Sequence, residues 1–167
     1  SKSQYRNLFL KAKEGGIHCF SACFDEESVD LWNDLDAPAF KIASGDITHF
    51  NLLKKISSCG KPIILSTGAS TLSDIKKAIK VIHKQNSNSS VALLHCVSNY
   101  PTKIKDLNLN CINTLKKHFN CIVGFSDHTI GILAPTVAVS LGAKIIEKHF
   151  TLDKALPGPD HAISADP

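Results

Sequence analysis

Six short apolar runs recur along the chain, and their spacing restricts the fold more than any other feature. They are Ile17–Ser21, Phe40–Ala43, Ile63–Ser66, Val91–Cys96, Cys121–Phe125 and Lys144–Glu147. The runs begin roughly every 22 to 30 residues, the length of one strand–loop–helix–loop unit. Their nearly continuous apolar character suits parallel strands buried on both faces. The segments between them carry helix signals. Thr71 and Asp74 make a capping box ahead of a face built from Leu72, Ile75, Ile79 and Ile82. His49–Ser58 presents Leu52, Leu53 and Ile56 and stops at Gly60. Asp25–Leu35 presents Val29, Trp32 and Leu35, and Asn108–Phe119 presents Ile112, Leu115 and Phe119. Ala134–Leu141 stops at Gly142. The first helix, Gln4–Glu14, has Leu8 and Ala12 on one side and stops at Gly15-Gly16. A helix followed by repeated strand–helix units predicts an α/β fold with a parallel sheet.

The ends of the runs choose between an open sheet and a barrel. No G-x-G-x-x-G or G-x-x-x-x-G-K-[ST] follows any strand, which removes the main nucleotide signals of the open sheet. Instead every run ends in small or polar, chemically capable residues. These are Ser21; Lys41 with Ser44-Gly45-Asp46; Ser66-Thr67-Gly68; His95 with Ser98, Asn99 and Tyr100; Ser126-Asp127-His128-Thr129; and Glu147-Lys148-His149, with Asp160 and His161 shortly after. A (β/α)₈ barrel builds its active site from all its strand ends, whereas an open sheet uses only those at a switch point. The expectation is a TIM (β/α)₈ barrel, to which residues 1–167 contribute six strands.

Composition narrows the function classes. The length suits one domain with a real core. The net charge of +4 is spread in short Lys-Lys pairs, which reads as solvated helix faces and not as a nucleic-acid stripe. No apolar stretch approaches 18 residues, so no membrane span is expected. The six cysteines contain no C-x-x-C pair and several sit in apolar runs, which reads as reduced thiols of a cytoplasmic protein.

Small hydroxyls, glycine-turn N–H groups and a lysine are what a phosphate requires. Lys41 lies inside an apolar strand, where an unpaired ammonium is costly. It reads as an inward lysine paired with an anion, the alternative being a side chain that reaches past the strand to solvent. His128 and His149 end neighbouring strands, 21 residues apart. They are too few for a structural zinc site but suit an open site for a divalent ion. Two hydrogen-bonded structural histidines remain the other reading. His18, His49, His83, His95 and His118 read as surface or packing residues.

The stretches KIASGD (41–46), GKPIILSTG (60–68), LLHCVSNYP (93–101), GFSDHTIG (124–131) and IEKHFTLD…GPDH (146–161) resemble the N-acetylneuraminate (sialic acid) synthase family, including legionaminate and pseudaminate synthases. The resemblance runs over nearly the whole chain. It implies an enzyme that condenses phosphoenolpyruvate with an N-acetylmannosamine-type amino sugar, aided by a divalent metal, typically Mn²⁺ with Mg²⁺ or Co²⁺ as alternatives. By that resemblance His128 and His149 are metal ligands. Lys41, Ser44, Ser66 and Ser126 hold phosphoenolpyruvate, and Asp46, Tyr100 and Asp160 face the sugar. Lys41, Asp46 and His149 are the expected catalytic groups. Ser98, a further expected sugar contact, stands where some members have Asn. Ala22-Cys23 stands where the family usually has Thr-Pro, and Asp46 where some members have Glu. The resemblance also implies that two barrel strands precede Ser1, that an antifreeze-like domain lies beyond Pro167, and that the full-length protein is a homodimer. A six-strand piece leaves two open sheet edges, so the piece alone is expected to be inactive and poorly soluble. The rival readings are another phosphoenolpyruvate aldol-type synthase, such as a KDO-8-phosphate or DAHP synthase relative, and a non-catalytic barrel remnant.

Overall fold

The computed structural model describes Ser1–Pro167. The chain contains helices α1 (Lys2–Glu14), α2 (Glu26–Asp34), α3 (Phe50–Ser58), α4 (Leu72–Gln85), α5 (Cys111–His118) and α6 (Leu133–Ser140). Its strands are β1 (Phe40–Ile42), β2 (Ile63–Ser66), β3 (Val91–Cys96), β4 (Ile122–Asp127) and β5 (Ile146–Lys148). Contacts group the chain into two units, Ser1–Leu65 with Thr71–Val91, and Ser66–Ser70 with Ala92–Pro167.

In the first unit β1 lies parallel to β2, with Phe40 opposite Ile63 and Ile42 opposite Leu65. All four are buried, as are Leu52, Leu53 and Ile56 of α3 and Ile75 and Ile82 of α4. Burial on both faces explains why these strands read as unbroken apolar runs. The run at Ile17–Ser21 does not form a strand. It reduces to a single parallel bridge between Ala22 and Lys41, in which the Lys41 N–H donates to the Ser21 carbonyl at 3.2 Å. Ile17 is 68% exposed, so the run lacks the two-sided burial that fixes its neighbours.

The helices start where their caps direct. Thr71 Oγ1 accepts the Asp74 N–H at 3.2 Å and Asp74 Oδ2 accepts the Thr71 N–H at 3.1 Å, the reciprocal box expected from the sequence. Asp25 accepts the Ser28 N–H at 2.7 Å at the head of α2. His49, read as a surface or packing residue, caps α3 through Nδ1, which accepts the Leu52 N–H at 3.2 Å. A buried polar pin joins α3 to α4: Ser57 Oγ donates to the Ile82 carbonyl at 2.8 Å. The Leu8 face expected of α1 is not buried, Leu8 being 63% exposed. That helix meets α2 instead through Tyr5 and Phe9, whose rings stand edge-on to Trp32 at 5.9 and 6.3 Å.

In the second unit β3 pairs with β4 and β4 with β5, all parallel. Leu93, Leu94, Phe125, Ile112 and Ala138 form its core. The registers are Cys96 opposite Ser126, Ser126 opposite Glu147 and Asp127 opposite Lys148. Gly124 lets β4 approach its neighbours closely. A Cβ there would collide with the Ile145 carbonyl and stand 2.7 Å from Leu94 Cδ2 and 2.8 Å from Ile145 Cβ. Gly124→Ala is therefore expected to cost about 1–3 kcal/mol through overpacking. Urea unfolding of the full-length protein checks this, and wild-type stability in the variant would refute the close approach. No helix is long and apolar enough to cross a membrane.

Candidate active site

Chemistry gathers where β4 and β5 end. Their 21-residue offset sets Ser126-Asp127-His128 beside Glu147-Lys148-His149. Side chains alternate between faces along a strand, so the two tripeptides divide into two sets. Ser126 and Glu147 form one set and continue into the histidines; Asp127 and Lys148 form the other.

On the first face Ser126 Oγ donates to Glu147 Oε1 at 2.6 Å, a charge-assisted length. His128 lies beyond. Its Nδ1 is 2.7 Å from the Val97 carbonyl, which can only accept, so the ring proton sits on Nδ1 and Nε2 carries a lone pair. Burial, chiefly, holds the His128 pKa below the ordinary imidazole value. The His149 ring centroid lies 5.7 Å away, the planes inclined at 70°. Tyr100 stacks on His128 at 4.0 Å and meets His149 edge-on at 5.8 Å. Partial burial, then the charges of Cys96, Asp160 and Glu147, push its hydroxyl above the usual range. Asp160 Oδ2 stands 3.6 Å from His149 Nδ1, too long for a direct hydrogen bond. The loop carrying Tyr100 is tied down by Thr102, whose N–H donates to the His128 carbonyl at 2.9 Å and whose hydroxyl donates to the Asn99 carbonyl at 2.8 Å.

On the opposite face Asp127 is fully buried and pairs with Lys148 Nζ at 2.7 Å. Lys148 also donates to the Thr129 carbonyl at 2.7 Å, and the Thr129 N–H donates to Asp127 Oδ1 at 2.9 Å. This pair belongs to the wall that holds the strand ends and not to the group around His128. Sequence reading saw both residues as strand-end groups but gave neither a role. The signal was there in the equal spacing of the two tripeptides.

The structure thus brings Ser126, His128, His149, Tyr100 and Asp160 together, and adds Glu147. Ser66 belongs to the same unit; its hydroxyl is buried with no hydrogen-bond partner. A buried orphan hydroxyl costs about 1–3 kcal/mol, and an anion contact would satisfy it. Ser98 is exposed and makes none of these contacts. Lys41, Ser44 and Asp46 belong to the first unit. Lys41 is half-buried in the middle of β1, and Ser44 and Asp46 lie in the 3₁₀ turn that follows. His95 packs as expected: buried, stacked on Phe125 at 5.8 Å, with Nε2 2.7 Å from the Leu107 carbonyl.

The donor set fits a divalent ion. His128 Nε2 is an imidazole lone pair whose ring is oriented by a carbonyl on the other nitrogen, the usual arrangement of a ligating histidine. No group of three or more His, Cys, Asp or Glu side chains is placed to cage a metal. The chain therefore offers two imidazoles, and oxygen ligands from substrate or water would complete the shell.

All of residues 1–167 match the NeuB family. The chain belongs to the NeuB family. An uncharacterized protein of Methanocaldococcus jannaschii is 53% identical over the whole chain, which covers 49% of that protein. The N,N'-diacetyllegionaminic acid synthase of Campylobacter jejuni is 47% identical over 98% of the chain and 49% of its own length. The crystal structure of an N-acetylneuraminic acid synthetase from Leptospira borgpetersenii, solved with citrate, superposes with a TM-score of 0.94 at 38% identity. That match covers 99% of this chain and 57% of the other. The likeness bears out the expected fold class, an α/β chain holding part of a (β/α)₈ barrel. The chain spans about half the length of the curated NeuB relatives it matches.

Proposed function

We propose that the protein carrying this chain condenses phosphoenolpyruvate with an N-acetylmannosamine-type amino sugar to give a nonulosonic acid and inorganic phosphate. The observation that carries this is the pair of imidazoles at the ends of β4 and β5, with His128 Nε2 presented and Tyr100 stacked against it. NeuB membership and relatives named as acid synthases support the reaction class.

The reaction forms a bond between C3 of phosphoenolpyruvate and the sugar aldehyde carbon. Water adds at C2, and the C2–O bond to phosphate breaks. His128 and His149 would hold the divalent ion, which when bound polarises the acceptor carbonyl as a Lewis acid. We assign Ser66 to the phosphoenolpyruvate anion, because its hydroxyl is otherwise unsatisfied. Lys41, Ser44 and Ser126 keep the same role on the family resemblance, Ser126 by turning its hydroxyl from Glu147 to the anion when that is bound, and Asp46, Ser98, Tyr100 and Asp160 keep the sugar-facing one. Tyr100 and Asp160 gain support from their places beside the two histidines. In the full-length protein this chain serves as the catalytic barrel portion, with an antifreeze-like domain and a second copy alongside.

The test is phosphate release by the full-length protein given phosphoenolpyruvate, Mn²⁺ and N-acetylmannosamine or a diacetamido-trideoxy sugar. Release that requires both the sugar and the metal is expected. Release only with phosphorylated aldoses would move the assignment to a KDO-8-phosphate or DAHP type of synthase. No release with any acceptor would make the site a remnant.

A further inference from the structure

We propose that Glu147 is a positioning residue that keeps His128 Nε2 open by taking the hydroxyl proton of Ser126. This rests on the reading of His128 as a metal ligand and adds a group outside that ligand set.

The inference follows from counting protons. Three groups meet here: the Glu147 carboxylate, the Ser126 hydroxyl and the His128 ring. Ser126 Oγ lies between the other two, 2.6 Å from Glu147 Oε1 and 3.4 Å from His128 Nε2. A serine hydroxyl has one hydrogen and can satisfy one of them. The carboxylate has none to give, and its short distance shows that it receives the serine's. The Val97 carbonyl has fixed the ring proton on Nδ1, so Nε2 is also without a hydrogen. Serine oxygen and Nε2 therefore face each other as two acceptors, and their 3.4 Å separation is what such a pair adopts. The lone pair on Nε2 stays available to a cation.

Remove the carboxylate and the arithmetic changes. The Ser126 hydroxyl is then free to rotate and donate to Nε2, where it competes with any metal ion. The register supports a dedicated role, since Ser126 and Glu147 are directly opposed in the β4–β5 ladder and need no backbone movement to meet.

Mn²⁺ alone is the probe, with its affinity for the full-length protein measured by titration calorimetry. Glu147→Ala is expected to bind Mn²⁺ about tenfold more weakly, the usual scale for a group that orients a ligand from outside the ligand set. Glu147→Ala with Ser126→Ala is expected to recover to within about twofold of wild type, because no hydroxyl remains to cap Nε2. Glu147→Gln, which keeps a carbonyl to accept the proton, should bind as wild type. Weak binding that persists in the double variant would mean that Glu147 acts by its charge or by folding, and would overturn the proposal. So would unchanged affinity in Glu147→Ala while His128→Ala loses binding. If His128→Ala itself binds Mn²⁺ as wild type does, the metal reading fails first, and the inference falls with it.

Discussion

Replacing His128 by alanine is expected to lower sugar-dependent phosphate release by at least about a hundredfold. That corresponds to a loss of ~2.7 kcal/mol of transition-state stabilisation, modest beside the several kcal/mol a Lewis acid contributes. The ring makes the site's central contacts: Nδ1 to the Val97 carbonyl, the face to Tyr100, and Nε2 towards the proposed cation. Its backbone carbonyl accepts from the Thr102 N–H, and that bond survives the substitution. The loop bearing Tyr100 should accordingly stay attached, and the loss of stability should stay near the ~1–3 kcal/mol of the orphaned Val97 carbonyl. Initial rates of phosphate release across a Mn²⁺ series separate the causes. A variant that recovers at high Mn²⁺ has lost affinity; one that does not has lost the geometry as well. Retention of more than about a tenth of wild-type activity would show that the imidazole pair is structural.

Breaking the Asp127–Lys148 pair is expected to have the largest effect on stability. The Asp127 side chain is wholly buried and that of Lys148 is 12% exposed. Lys148→Met leaves a buried carboxylate with one backbone N–H for company, and Asp127→Leu leaves a nearly buried ammonium with one carbonyl. Each should cost about 3–5 kcal/mol, the penalty for an uncompensated buried charge. Removing both charges, as in Asp127→Leu with Lys148→Met, should cost less than either single change, since no charge is then stranded. Guanidinium unfolding of the four proteins checks this. Additive losses in the double variant would mean that the two residues act independently and that the pair holds nothing in place.

Much of the fold was legible because it rests on patterns that chemistry enforces locally. The Thr71–Asp74 box, the stop at Gly60 and the apolar runs at Phe40, Ile63 and Val91 all express short-range rules, and they appear where the sequence places them. The first run failed because apolar composition does not by itself make a strand; a partner must cover it, and Ile17 remains exposed. Leu8 failed for a related reason: helical spacing marks a face but does not say that anything meets it. In the site, His128 and His149 could be paired from their positions at strand ends. Glu147, Asp127 and Lys148 went without roles because register is a long-range property, set by which strand lies alongside and not by either strand's own residues. The 21-residue separation of the histidines already contained the answer, since the same offset sets Glu147 opposite Ser126 and Lys148 opposite Asp127.

That shared offset limits how the segment between the strands can change in length. Suppose one extra residue entered between Asp127 and Ile146 and the ladder absorbed it as a slip. Asp127 would then stand opposite Glu147, and two carboxylates would meet where an ion pair now sits. Lys148 would lose its acceptor, and His149 would move out of step with His128. An insertion can survive there only if the turns flanking α6 (Leu133–Ser140) take up the slack before β5 begins. Length variation among proteins that keep these two tripeptides is therefore expected in those turns, with the strands themselves holding their count.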